Sequence, residues 1–204
     1  MKYVSIPSSS YQLGEVELKK NAIYEKISDD AREYYISRSL QIGKETARSI
    51  QESGKDIYQL LHEHNIQLVK KKTDPFNQDF ILRGEIHFTK KQSVISIYED
   101  SINSIYQNYQ EVLPSEFILT KEQAREAHLC HEFFHYLEFK QGQTVSQKLG
   151  KIQIPTLLGL TRNVEILECS EIAAHAFAKQ FCQLNVMPNY YDVLYLQQRK
   201  LKRI

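Results

Sequence analysis

His131-Glu132-Phe133-Phe134-His135 sets two imidazoles four residues apart, with a carboxylate beside the first. On an α-helix, positions i and i+4 lie one above the other on one face. His131 and His135 can then offer two nitrogens to one tetrahedral cation. Glu132 is rotated about 100° from His131. It is poorly placed as a third ligand, yet it can reach a water beside the ion. Two ligands and a general base are what metal-assisted hydrolysis of an amide requires. With 7 His and 18 Glu in 204 residues, an H-E-x-x-H arises by chance about 0.02 times. The motif is therefore a signal, and a helical setting for it sharpens the signal further.

A catalytic zinc site takes three protein ligands and leaves a fourth position for water. After His135 the chain reads Tyr136-Leu137-Glu138-Phe139-Lys140-Gln141, without the third histidine of the extended H-E-x-x-H-x-x-G-x-x-H pattern. The third donor must come from another segment. Glu168, Glu171 and His175 recur at spacings of three and four on one face of a predicted helix. Periodicity leaves all three open. Cys169 is a rival, since thiolates ligate zinc. His128 lies one turn before His131. His62 and His64, two apart, do not share a helical face and read as surface residues.

The elements that must position these residues follow from pattern. Thr120, with Lys121 and Glu122 after it, begins a helix reaching about Phe139. A last long helix is predicted from about Arg162 to Leu184, closed by Pro188. Residues 15–53 are helical, and Ser28 before Asp29-Asp30 can cap a second helix there. Ser53-Gly54 stops that run, and a short helix from Lys55 to about Glu63 precedes a strand at Ile66–Val69. Lys70–Gln78 reads as a loop. Phe80–Phe88 and Ser93–Tyr98 flank a hairpin turn at residues 89–92. Residues 101–112 are predicted helical up to Pro114, and 141–160 irregular. Helices, then strands, then helices argue for an α+β fold, mostly helical, with a small antiparallel sheet beside the H-E-x-x-H helix.

Three groups of residues resemble the ImmA/IrrE metallopeptidase family. The first is His131–His135 with its helical lead Gln123–Cys130. The second is Glu171-x-x-Ala174-x-x-Phe177-Ala178, similar to the family's E-x-x-A-x-x-F-A. The third is Met187-Pro188 after that helix. The resemblance spans about residues 45–190. It implies a zincin-like domain there, with a helical extension at 1–44 and a basic tail at 191–204. It implies zinc held by His131, His135 and Glu171, and Glu132 as the general base. The activity implied is endopeptidase cleavage of a regulatory protein such as a transcriptional repressor. Ala174 lets the two site helices approach, and Phe177 fills the core beneath them. His175 stands where the family carries a small polar amide, so it can orient a ligand or touch the metal. His175 and His128 are candidate supporting or oxyanion groups, as are Tyr190 and Tyr191 for the oxyanion. Phe133-Phe134 narrows the space behind the metal. The 36-residue gap from His135 to Glu171 is long, and residues 141–160 are expected to rim the cleft. Ser93–Tyr98 is a candidate edge for pairing with an extended peptide.

Composition limits the alternatives. Lys plus Arg is 26 against 25 acidic residues, a formal charge of +1. No global field draws nucleic acid or an anionic membrane, so direct nucleic-acid contact is not expected, basic tail notwithstanding. Cys130, Cys169 and Cys182 form an odd set without C-x-x-C, which suits a reducing compartment. No run approaches about 18 apolar residues, so the expected location is the cytoplasm and no membrane partner is expected. A competing reading is a regulatory module of the same fold that binds a protein or DNA without cutting it. A di-iron bundle needs a second E-x-x-H, and Glu171-x-x-Ala174 and Glu168-x-x-Glu171 do not supply one.

Overall fold

Side-chain caps set where most of the helices begin. The computed structural model describes residues 7–72, 83–89, 92–103, 113, 115–156 and 159–202. Helix α1, Ser10–Leu18, starts on Ser9, which forms a capping box with Gln12. The Ser28 hydroxyl accepts from the Ala31 N–H and starts α2, Asp29–Gln51. Asp56 and Gln59 box the start of α3, Ile57–Glu63. Thr120 and Gln123 do the same for α4, Lys121–Gln141, which Gly142 ends in the left-handed conformation at φ 67°.

The first sheet departs from the expected antiparallel arrangement. Its strands are β1 Ile66–Lys71, β2 Gly84–Phe88 and β3 Ser93–Tyr98, in the order β1-β3-β2. β2 and β3 form the expected antiparallel hairpin, with Ile86 opposite Ile95. β1 pairs with β3 in parallel, with Leu68 opposite Ile95. The long connection from β1 lets the chain lay β2 on the far side, so β3 takes the centre of a mixed sheet. Ser93–Tyr98 therefore has neighbours on both sides and offers no edge to a peptide. Residues 99–103 are helical, while 104–112 of the expected helix, and 73–82, lie outside the described residues.

Residues 141–160 are more ordered than their Gly/Pro content suggests. Thr144 and Gln147 cap α5, Val145–Leu149. A hairpin follows, with β4 Ile152–Pro155 antiparallel to β5 Thr161–Val164. The start expected for the last long helix, near Arg162, is thus strand, and α6 runs Glu168–Phe181. Strands of four residues are too short to show an alternation pattern. α7, Asn189–Lys202, follows Met187-Pro188, and the side chains of residues 198–204, which hold the tail's basic groups, lie outside the described residues.

α6 is the central element, packed by α2 along its length, by α4 across it and by α1. α4 also carries β2 and β3 on its other flank. Phe133, Phe177, Ala173 and Ala174 are fully buried where these helices meet. The α2–α6 approach is closest at Gly43. A Cβ there would stand 2.2 Å from the Ala173 carbonyl oxygen and 3.0 Å from the Ala176 Cβ. That oxygen belongs to a helix and cannot swing aside. Gly43→Ala should cost about 3 kcal/mol through overpacking, read as a lower denaturant midpoint at constant m. An unchanged midpoint would show that the two helices have slack at this crossing.

Candidate metal centre

α4 and α6 cross so that His131, His135 and Glu171 converge. His131 Nε2 and His135 Nε2 are 3.2 Å apart. His131 Nε2 lies 3.3 Å from Glu171 Oε2, and His135 Nε2 lies 3.3 Å from Glu171 Oε1. Ligands held 2.0–2.1 Å from a tetrahedral ion are separated by about 3.3–3.4 Å. The two imidazole nitrogens, each facing one oxygen of the Glu171 carboxylate, are therefore spaced as ligands of one small cation are. Two imidazole nitrogens turned toward each other over a carboxylate suit a divalent cation better than a hydrogen-bond network. Among the described residues, two His/Glu groups can hold such an ion: His131, His135 and Glu171, and a neighbouring set of Glu17, Glu171 and His175.

A buried carboxylate fixes one of the donors. Glu138 Oε2 lies 3.0 Å from His135 Nδ1. A carboxylate only accepts, so Nδ1 carries the proton and Nε2 faces Glu171. The other Glu138 oxygen accepts from the Val145 N–H at 2.6 Å and from the Ser170 hydroxyl at 2.8 Å. Ser146 joins this set through the Ser170 hydroxyl at 3.1 Å and the Leu167 carbonyl at 3.0 Å. α4, α5 and α6 are thereby locked together around His135. Glu138→Ala should weaken zinc binding roughly 10- to 100-fold, as loss of an outer-shell partner does elsewhere. Competition with a chromophoric chelator measures it, and an unchanged affinity would separate Glu138 from the centre.

The electrostatics suit the same roles. Burial would raise the Glu171 carboxyl, but His131 and His135 hold it far below the usual carboxylate range. Burial would lower His135, but Glu138 and Glu171 override this and push the imidazole up to about 10. Burial raises the Glu132 carboxyl, partly offset by the two histidines. Glu132 is almost fully enclosed and rests on the Gly84 backbone, where an added Cβ would stand 3.1 Å from its Oε1.

The remaining candidates separate cleanly. Glu168 accepts from Asn21 Nδ2 at 2.5 Å, and Cys169 is fully buried and belongs to neither donor group, so neither joins the His131, His135 and Glu171 set. His175 packs its ring 4.4 Å from that of His131, and its Nε2 is 4.0 Å from Glu17 Oε2. Burial, then the nearby His131, keeps it neutral. His128 donates from Nδ1 to the Ala124 carbonyl at 2.6 Å, and burial pushes it down to about 4. Both line a cleft of about 430 Å³ with the donors and Glu132. Tyr190 and Tyr191 do not: both are buried, and the Tyr191 hydroxyl donates to the Phe117 carbonyl at 2.6 Å. They are core residues and cannot stabilise an oxyanion. Among the described residues, none of 141–160 lines the cleft, contrary to expectation. His64 is not a surface group either, since its ring packs on Phe133 and Tyr136.

Several cleft residues were not singled out in the sequence. Arg83 is buried and paired with Asp192 at 2.6 Å, and its Nη1 donates to the Ser101 carbonyl. Glu17 is buried, and the Lys20 ammonium sits 2.7 and 2.8 Å from its two oxygens. That neutralises Glu17 and favours the His131, His135 and Glu171 set as the place for a cation. Glu138 alone left a local trace, three residues after His135. No described helix is long and apolar enough to cross a membrane. Neither a family model, nor a curated protein, nor a solved structure matches the chain.

Proposed function

We propose that the chain is a zinc-dependent endopeptidase resembling the ImmA/IrrE family, acting in the cytoplasm on a protein substrate such as a transcriptional repressor. The observation that supports this most is the convergence of two imidazoles 3.2 Å apart on a carboxylate 3.3 Å from each, with Glu132 enclosed in the same cleft. Two imidazoles and a carboxylate are a common zinc set for hydrolysis.

His131 and His135 would hold the ion through Nε2, and Glu171 through its carboxylate. Zinc, when bound, lowers the pKa of a coordinated water toward about 7 and polarises a carbonyl. Glu132 accepts the proton of the attacking water on its carboxylate and passes it to the leaving amine nitrogen. Its raised carboxyl makes it a stronger base than an exposed glutamate. His175, being neutral, donates no formal charge to the oxyanion but can donate a hydrogen bond. The substrate lies along β2. Among the described residues this strand pairs only with β3, and its Gly84 rests against Glu132. An extended peptide adds to that free edge through main-chain bonds.

Zinc-loaded protein should generate new termini in an unfolded protein substrate, mapped by mass spectrometry. A chelator should stop the cleavage and added zinc restore it. Metal-loaded chain that binds such a substrate but produces no new termini would favour the binding-module reading.

A further inference from the structure

Cys130 and Cys182 are the only cysteines, among the described residues, whose sulfurs meet. Cys182 Sγ lies 3.4 Å from Cys130 Sγ, in van der Waals contact. Cys130 is the residue before His131 on α4, and Cys182 caps the C-terminal end of α6. The pair thus spans the two helices that carry the metal donors. Cys130 is buried, whereas Cys182 is half-buried. Both line a second cleft of about 650 Å³, together with Gln51, Lys55, Glu126 and Gln183. This cleft shares no residue with the one around the metal centre. It gives a small polar oxidant a way to the Cys182 sulfur. Cys169 is different: it is fully buried and lines neither cleft.

We propose that Cys130 and Cys182 form a modification site, a thiol pair that hydrogen peroxide converts to a disulfide. The Cys182 thiolate attacks one peroxide oxygen. The O–O bond breaks, and the departing hydroxide takes up a proton as water. The resulting Cys182 sulfenic acid is attacked by the Cys130 sulfur. The S–S bond forms as the S–O bond breaks, and the Cys130 proton leaves with the oxygen as a second water. Two thiols and one peroxide give one disulfide and two waters. Closure asks the sulfurs to approach from 3.4 Å to about 2.05 Å. Glu171 lies 11 residues before Cys182, about 16 Å along the helix, whereas Cys130 directly precedes His131. The product staples α4 to α6 and stiffens the frame that holds the centre.

The three cysteines fall on separate tryptic peptides, 126–140, 163–179 and 180–199. The purified full chain is treated with a small excess of hydrogen peroxide, quenched, alkylated and digested. The expected result is a linked 126–140/180–199 peptide, with alkylation retained only at Cys169 and reversal by dithiothreitol. Closing a loop of this length should also raise Tm on the order of 10 °C. Cys182→Ser, a change at a half-buried position, should keep both remaining thiols alkylatable and show no Tm rise. Three alkylated cysteines after peroxide would overturn the proposal. So would Cys182 driven to sulfinic acid while Cys130 stays alkylatable, or a Tm rise that persists in Cys182→Ser. None of these readouts depends on peptidase activity or on metal.

Discussion

Glu132→Gln should leave a chain that loads zinc normally and cleaves its substrate roughly 10²- to 10⁴-fold more slowly, the range expected for loss of a general base. Glutamine keeps the shape of the side chain and its place against Gly84 but cannot accept the proton. The substitution should not unfold the protein. Burial raises the Glu132 carboxyl in the folded state, so ionised Glu132 opposes folding once the pH exceeds its unfolded pKa. The neutral amide removes that opposition, and Tm near pH 7 should be equal to or above that of the wild type. Zinc content, cleavage rate and Tm together make the test. Wild-type cleavage by the glutamine variant would remove Glu132 from the chemistry.

Glu171→Ala should lower zinc affinity by more than about 100-fold, beyond the loss expected for an outer partner such as Glu138. Alanine deletes one of the three donor residues and leaves two imidazole nitrogens 3.2 Å apart without the anion that faces both. The metal-free chain should respond as well. The Glu171 carboxyl is held well below its ordinary range, so its contribution is present above the unfolded pKa and lost as the pH falls. In the alanine variant the acid limb of the stability profile should flatten. The effect is tempered because the side chain is 43% exposed and solvent screens its charges. Zinc affinity equal to wild type in Glu171→Ala would reject it as third ligand. An equal loss in Glu17→Gln would instead point to the neighbouring set.

What could be read in advance was local. The pairing of His131 with His135, and the offset of Glu132, follow from helical geometry alone, and the caps at Ser28 and Thr120 mark where their helices start. The choice among Glu168, Glu171 and His175 was not local. All lie along one helix face, and only the crossing of α4 over α6 turns Glu171 to the imidazoles and leaves Glu168 to Asn21. Cys169 is excluded because helix packing buries it fully, outside both donor groups. Arg83 and Gly84 enter the cleft because β2 docks on α4, and strand docking leaves no mark in a single sequence. The mixed sheet has the same cause, since the strand run at 66–71 carries no sign of which neighbour it will take. Glu138 was visible as an i+3 neighbour of His135. Its importance depends on the Val145 N–H and the Ser170 hydroxyl, which come from two other helices.

The brace made by Glu138, Val145, Ser146 and Ser170 bears on any attempt to transplant this centre. Copying His131, Glu132, His135 and Glu171 onto another pair of crossed helices would carry the donors without what aims them. A workable graft must include the turn at Thr144–Ser146, so the excursion between the motifs is part of the smallest portable unit.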